Sequence, residues 1–226
     1  MSDSAALDSF LDKWRRRWPE WEFVERFVPP SQRPVVLAWF ALLQEFEDAM
    51  NVAGDALPAD AKLGWWAQEL RDWARRRSRH PLGRVLEPLA APWQALADAL
   101  PTWPLLREAP TDLATALSQA LPAAAAMAAV EAALFPGAAR VQDPQALAAQ
   151  LLATRWLEVR REQLPQWRAT LLAQWPARAG GARPRRLLAM LARQRLQGLA
   201  EDGRSIASPS PLRLVWNGWR AASGGA

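Results

Sequence analysis

Residues 31–51, SQRPVVLAWFALLQEFEDAMN, contain the pattern that decides the fold. Apolar side chains recur at helical spacing through this stretch, at Val36, Leu37, Phe40, Leu43 and Phe46. Ser31 is a suitable capping residue and Pro34 suits the first turn. The pattern predicts an α-helix from near Ser31 to about Asn51. Its polar face carries Gln44, Glu47, Asp48 and Asn51.

The composition extends this helical prediction to the whole chain. Half of the 226 residues are hydrophobic, and neither cysteine nor tyrosine occurs. Alanine, leucine and arginine favour helices, while the residues that favour strands are few. We therefore expect one all-α domain, a helical bundle over residues 1–222, followed by a disordered tail at 223–226.

Proline and glycine divide the rest of the chain into further predicted helices. A linker between Gly54 and Pro58 is expected before a helix that ends ahead of His80-Pro81. The stretch Leu121 to Phe135 is mostly alanine, opens with Pro122 and carries Glu131, so it is interpreted as a buried core helix and not as a membrane span. The predicted ranges are 5–18, a helix through 63–73, 82–100, 111–135 with an interruption at Pro122, 144 to at least 163, 184–199 and 211–222.

Three motifs then follow in a particular order: WFALLQEFEDAMN at 39–51, KLGWWAQEL at 62–70 and HPLGRVL at 80–86. In order and spacing they resemble the squalene/phytoene synthase family. The C-terminal segments PSPL at 209–212 and VWNGWRA at 215–221 are similar to the end of that family. The resemblance implies a helical bundle of the isoprenoid (terpenoid) synthase type, with the helices around 40–51 and 145–161 facing each other.

Enzymes of that family bind substrate diphosphate through Mg²⁺ held by two aspartate-rich motifs, because Mg²⁺ prefers oxygen ligands in octahedral geometry. At the positions of the first motif this chain has Glu47 and Asn51. The second motif would precede residues 161–165, REQLP, where 153–160 read ATRWLEVR with a single acid. The resemblance therefore implies lost metal ligands and a degenerate catalytic site.

The resemblance also assigns residues. A remnant diphosphate site would comprise Gln44, Glu47, Asp48, Asn51, Arg155 and Glu158. A prenyl pocket would be lined by Phe40, Trp66 and Trp156, although a tryptophan stripe such as Trp65, Trp66 and Trp73 also fits an ordinary core. The alternative to a remnant site is that these polar residues form an ordinary helix face exposed to solvent.

Other classes of site find little support. The lack of cysteine and the single histidine exclude thiolate and imidazole clusters, so no metal site is assigned, and Mg²⁺ is expected only for an active synthase. His80 is interpreted as bonded to backbone, not as a base.

The net charge of +5 rests mostly on arginine, and the runs at 15–17 and 75–77 fit solvated helix faces. The polar N-terminus predicts a cytoplasmic protein.

Three functions remain open. A degenerate family member would bind an isoprenoid lipid, a prenyl diphosphate or a protein partner. An active Mg²⁺-dependent prenyltransferase would need Glu47, Asp48 and Glu158 to replace the aspartates. A nucleic-acid or membrane-surface module would use the arginine runs; we expect no nucleic-acid partner and no transmembrane segment, while peripheral membrane contact stays open.

Overall fold

The computed structural model describes residues 3–51, 56–108, 110–138, 141–159, 163–175 and 180–224. Within these residues the chain forms one all-α domain of eleven helices, without a β-strand; one isolated antiparallel bridge joins Leu199 and Ile206. The helices are α1 Asp3–Arg17, α2 Trp21–Val24, α3 Arg33–Met50, α4 Ala56–Trp73, α5 Gly83–Leu86, α6 Trp93–Ala99, α7 Leu113–Leu134, α8 Pro144–Val159, α9 Leu164–Gln174, α10 Arg183–Gln197 and α11 Pro211–Ala222.

Helix α3 lies at the centre of the domain. It contacts α1, α4 and α5, and most of its side chains are buried, including the polar Gln44 and Glu45. A helix that is apolar on nearly all sides must be covered on all sides. The predicted helix is confirmed, but Ser31 does not cap it: a 3₁₀ turn over Pro30–Gln32 precedes α3, and Gln32 occupies the cap position.

Prolines explain two errors in the predicted helices. The single helix expected over 82–100 is wrong, because Pro88 and Pro92 lack the N–H groups needed to continue it, and the segment forms α5 and α6 instead. The interruption expected at Pro122 is also wrong. Helix α7 continues through Pro122, with buried alanines on both sides of it packed into the core. A 3₁₀ helix, Leu100–Leu106, follows α6 directly.

Helix boundaries follow local chemistry elsewhere. Asp112 caps α7 by accepting the backbone N–H of Thr115, and Asp143 accepts that of Gln145 at the start of α8. Pro58 lies in the first turn of α4 and not in a linker; Gly54 is outside the described residues.

The sequence prediction missed α9, which begins at Leu164 with Pro165 in its first turn. Of the expected tail, Ser223 and Gly224 are described, and Ser223 donates a hydrogen bond to the Trp219 carbonyl.

Helix α7 is the one described helix whose length and composition would allow it to cross a membrane. The helix has 22 residues and is therefore longer than the predicted apolar stretch Leu121 to Phe135. Of its most apolar 18-residue segment, 39% is buried inside the domain. It packs against α6 and α8. Core helices of globular proteins satisfy the same test of length and hydropathy, so the finding is weak evidence for a membrane span.

Candidate functional site: a charge-balanced cluster between α1, α3 and α8

The C-terminal half of α3 places its polar side chains toward α1 and α8. Arg155 of α8 reaches across to α3 with only 3% of its side chain exposed. Its Nη1 donates to Glu47 Oε2 at 3.0 Å and to Asn51 Oδ1 at 2.9 Å. Its Nε donates to the Leu106 carbonyl at 2.9 Å, which fixes the guanidinium plane. Arg155 therefore holds Glu47 and Asn51 together, one helical turn apart at the C-terminal end of α3.

A second arginine, Arg17 on α1, bonds acids of both α3 and α8. Arg17 Nη1 donates to Glu158 Oε2 at 2.9 Å, and Nη2 donates to Asp48 Oδ1 at 3.1 Å. The side chain thereby joins α3 to α8. Arg17 was expected to be on a solvated helix face, and this expectation is wrong. The missed signal is its spacing: Lys13 and Arg17 are four residues apart and border the apolar stripe of Trp14 and Trp18, which turns them toward the core.

Two lysines complete the pairing of the acids on α3. Lys13 Nζ lies 2.5 Å from Glu45 Oε1 and 2.5 Å from Asp48 Oδ2, and Lys62 of α4 lies 3.4 Å from Glu45 Oε2. The cluster thus matches four carboxylates with four cations. The acids are Glu45, Glu47, Asp48 and Glu158, and the cations are Lys13, Arg17, Lys62 and Arg155. Each carboxylate of the cluster thus has a cation beside it, as burial of a charged group requires.

Burial shifts the protonation of two of these acids. It raises the pKa of Glu158 to about 7, and the neighbouring Glu47 and Asp48 carboxylates add to this effect while Arg17 opposes it. Burial also raises the pKa of Glu47, against the attraction of Arg155. A carboxyl with a pKa near 7 exchanges its proton at neutral pH. Glu158 is therefore the side chain of the cluster whose charge changes under physiological conditions.

A cavity of about 70 Å³ lies beside the cluster. Phe40, Gln44, Glu47, Arg155 and Glu158 are among the residues that line it. Two polar atoms of residues that line the cavity are buried without a hydrogen-bond partner in the protein: the Gln44 Oε1 acceptor and the Gln150 Nε2 donor. Pockets for drug-sized ligands are several times larger, about 300–1,000 Å³. In this conformation the cavity has room for a small polar group but not for a prenyl chain.

The other predicted residues lie apart from this cavity. Asp48 and Asn51 belong to the ion-pair cluster without lining the cavity. Trp66 packs against Phe46 and His80, and Trp156 packs against Trp167, so both tryptophans are core residues. The structure therefore brings the six polar candidates together around α3 and α8, whereas only Phe40 of the three aromatic candidates reaches the cavity.

His80 lies in the packed region beyond α4. Its Nδ1 accepts the backbone N–H of Leu82 at 3.2 Å, which confirms the expected bond to backbone. Burial lowers the pKa of His80 to about 4, and the ring centroid is 4.6 Å from those of Phe10 and Trp66. The imidazole is thus neutral at physiological pH. The loop that carries it is held by the buried Glu69, which accepts the backbone N–H groups of Arg79 and His80.

The cluster does not fit the Mg²⁺ ions that the resemblance would require in an active synthase. Mg²⁺ needs carboxylates with free oxygen lone pairs converging on one point. Here the guanidinium of Arg155 binds Glu47 and that of Arg17 binds Glu158. Among the described residues, no three acidic or histidine side chains are grouped as a metal site would need.

Comparison with protein-family models, with curated proteins and with solved structures found no match for this chain.

Proposed function

We propose that this protein is a catalytically degenerate relative of the squalene/phytoene synthases, with a bundle of the isoprenoid (terpenoid) synthase type, and that it acts by binding a protein partner. The proposal combines the order of the sequence motifs with the ion-pair cluster. Prenyl transfer by Mg²⁺ is not part of it. The observation that carries the proposal is the Arg155 guanidinium bound to Glu47 and Asn51.

That contact supports loss of catalysis for a physical reason. In a metal-dependent synthase, the carboxylates of facing helices must stay available to bridging cations. Here Arg155 and Arg17 come from the chain itself and occupy carboxylate oxygens of Glu47, Asp48 and Glu158 that a metal would need. A Mg²⁺ ion would have to displace a buried guanidinium that makes three hydrogen bonds. Diphosphate would also meet Glu47 and Glu158 without a metal to offset their charge.

The choice of a protein partner over an isoprenoid lipid rests on the cavity. Its volume of about 70 Å³ is a small part of what a chain of fifteen or more carbons needs. Trp66 and Trp156, which would line a prenyl tunnel, are packed against other rings. A lipid would have to open the core, at the cost of those contacts. The fold is retained in this proposal as a scaffold for recognition.

The test is thermal unfolding of the purified protein with farnesyl or geranylgeranyl diphosphate, each with Mg²⁺ and with a chelator. Inorganic diphosphate and farnesol serve as controls for the head and the tail. A ligand at about 100 times its Kd adds about 2.7 kcal/mol, and each kcal/mol moves Tm by about 2–4 °C in a chain of this size. We expect no such shift in any mixture, and no condensed prenyl product by mass spectrometry.

Each positive result would point elsewhere. A shift that requires Mg²⁺, or a condensed product, would overturn the proposal in favour of the active prenyltransferase. A shift of equal size in chelator, reproduced by farnesol, would establish a prenyl cavity that opens on binding and would replace the protein partner with an isoprenoid lipid.

A further inference from the structure

Helix α11 exposes an apolar stripe. Leu212, Trp216 and Trp219 lie on one side of the helix, with exposed fractions of 84%, 59% and 50%. The two indole rings contact each other, with centroids 5.2 Å apart. Contiguous exposed apolar side chains rimmed by polar residues mark interaction sites, unlike apolar residues scattered singly over a surface. Their spacing of three and four residues makes them neighbours on one helical face.

Packing of the domain does not explain this stripe. The face of α11 that contacts α2 and α10 is a different one, formed by Leu214, Gly218 and Ala222. Gly218 allows close approach: a Cβ there would lie 2.7 Å from Val24 Cγ1. The helix therefore has one face for the fold and another, with both tryptophans, for solvent.

The charge around the stripe is positive. Arg213 and Arg220 are exposed on α11, next to the apolar stripe in the helical projection. No acidic residue occurs in α11. Residues 180–226 contain eight arginines and two acidic residues, a net charge of +6, whereas the rest of the chain carries −1. Two of these arginines are paired with acids of other helices and segments, Arg185 with Glu131 and Arg195 with Glu20. The charge exposed on α11 itself is that of Arg213 and Arg220.

We propose that α11 docks this protein on the surface of an anionic lipid bilayer, with Leu212, Trp216 and Trp219 inserted among the headgroups and Arg213 and Arg220 against lipid phosphates. Tryptophan beside arginine on one exposed helix is the chemistry of interfacial binding. This inference does not depend on the proposed function, since it uses no residue of the α3 and α8 cluster.

A second copy of the chain fits this surface less well. A stable interface buries about 800 Å² on each partner, and two half-exposed tryptophans with one leucine provide much less. Facing copies would also bring Arg213 and Arg220 toward like charges. An anionic membrane needs no minimum contact area of this kind, and its negative headgroups attract Arg213 and Arg220 instead of repelling them.

The experiment is co-sedimentation of the full chain with vesicles of phosphatidylcholine alone and of phosphatidylcholine mixed with phosphatidylglycerol. Three variants are compared: Trp216→Ser with Trp219→Ser, Arg213→Glu with Arg220→Glu, and, as a matched control, Arg75→Glu with Arg77→Glu in an exposed basic run on another segment. Both arginine pairs lower the net charge equally, from +5 to +1. Circular dichroism and Tm confirm that each variant is folded.

We expect binding to the mixed vesicles that weakens as salt rises. The Arg213 and Arg220 pair should weaken it by at least about 30-fold, since each arginine near such a surface is worth about 1 kcal/mol. The tryptophan pair should weaken it by at least about tenfold, and the Arg75 and Arg77 pair by much less. Failure of the wild type to bind, equal binding to neutral vesicles, or equal loss in the control would overturn the inference. Gel filtration that shows a dimer abolished by the tryptophan pair, without vesicle binding, would replace the membrane with a second copy.

Discussion

Arg155 and Glu47 are 108 positions apart in sequence, yet the Nη1 of the arginine lies 3.0 Å from the Oε2 of the glutamate. The pair joins α8 to the centre of the domain, and the arginine is almost fully buried. Breaking a buried pair leaves an uncompensated charge, whereas an exposed pair contributes little. Removal of the arginine alone should therefore cost more than the loss of an exposed pair.

Replacing Arg155 by methionine should therefore lower the free energy of unfolding by about 3 kcal/mol, because Glu47 loses its principal counter-ion. Arg71→Met is the matched control, since Arg71 pairs with the exposed Asp98 at 3.2 Å and should cost less than about 1 kcal/mol. Urea unfolding at pH 7 measures both. Equal costs for the two variants would show that the buried pair does not stabilise the fold.

The raised pKa of Glu158 predicts a dependence of stability on pH. The folded state retains the proton up to a pKa of about 7, while the unfolded chain releases it near the ordinary glutamate pKa of 4.5. Between these values the folded state binds more protons, so this group makes stability fall as pH rises, by about 3 kcal/mol in total. Glu158→Gln should remove that fall and be the more stable protein at pH 8.

Urea unfolding of the wild type and Glu158→Gln at pH 5, 6, 7 and 8 checks this prediction. The difference between the two proteins should change across the range, because glutamine does not titrate. Parallel profiles would mean that the carboxyl is ionised in the folded state throughout and that Arg17 outweighs its burial.

Restoring one aspartate should not restore catalysis. In Asn51→Asp the new carboxylate would face Arg155, which already lies 2.9 Å from the side-chain oxygen at this position. It would form an ion pair instead of a metal ligand, and the facing part of α8 offers only Glu158. We expect no condensed product from farnesyl or geranylgeranyl diphosphate with Mg²⁺. Measurable product from this single variant would refute the degenerate site.

Gly218→Ala tests the close contact between α11 and α2. The added Cβ would lie 2.7 Å from Val24 Cγ1 and 3.0 Å from a ring carbon of Phe27, so we expect a loss of about 1–3 kcal/mol. Gly64→Ala is the control, because no atom lies within 4 Å of its added Cβ. That change should stabilise α4 by about 0.5–1 kcal/mol. Thermal unfolding that gives both variants the same sign would contradict the contact.

The sequence alone determined the helical class and most helix positions of this protein. Periodic apolar residues and prolines act over a few residues, so α1, α3, α10 and α11 could be located with errors of a few positions. The same locality explains the failures. Whether Pro122 breaks α7 depends on the neighbours that cover the helix. Pro88 and Pro92 divide the segment 82–100, which was predicted as a single helix.

The candidate site was only partly accessible from sequence. Gln44, Glu47, Asp48 and Asn51 could be assigned to one face because they share a helix. Their partners could not be assigned, because Lys13 and Arg17 reach them from α1 and Arg155 from a helix about 100 residues further on. The one local sign that separates Arg17 from the exposed Arg15 and Arg16 beside it is its position four residues after Lys13, along the stripe of Trp14 and Trp18.

The local pattern of residues thus fixed which segments are helices and which of their faces are polar. Only the tertiary structure decided that the acids of α3 meet guanidinium groups and that the cavity beside them is small. The reason is physical: helix formation depends on near neighbours, whereas the pairing of buried charges and the space left between helices depend on how distant segments pack.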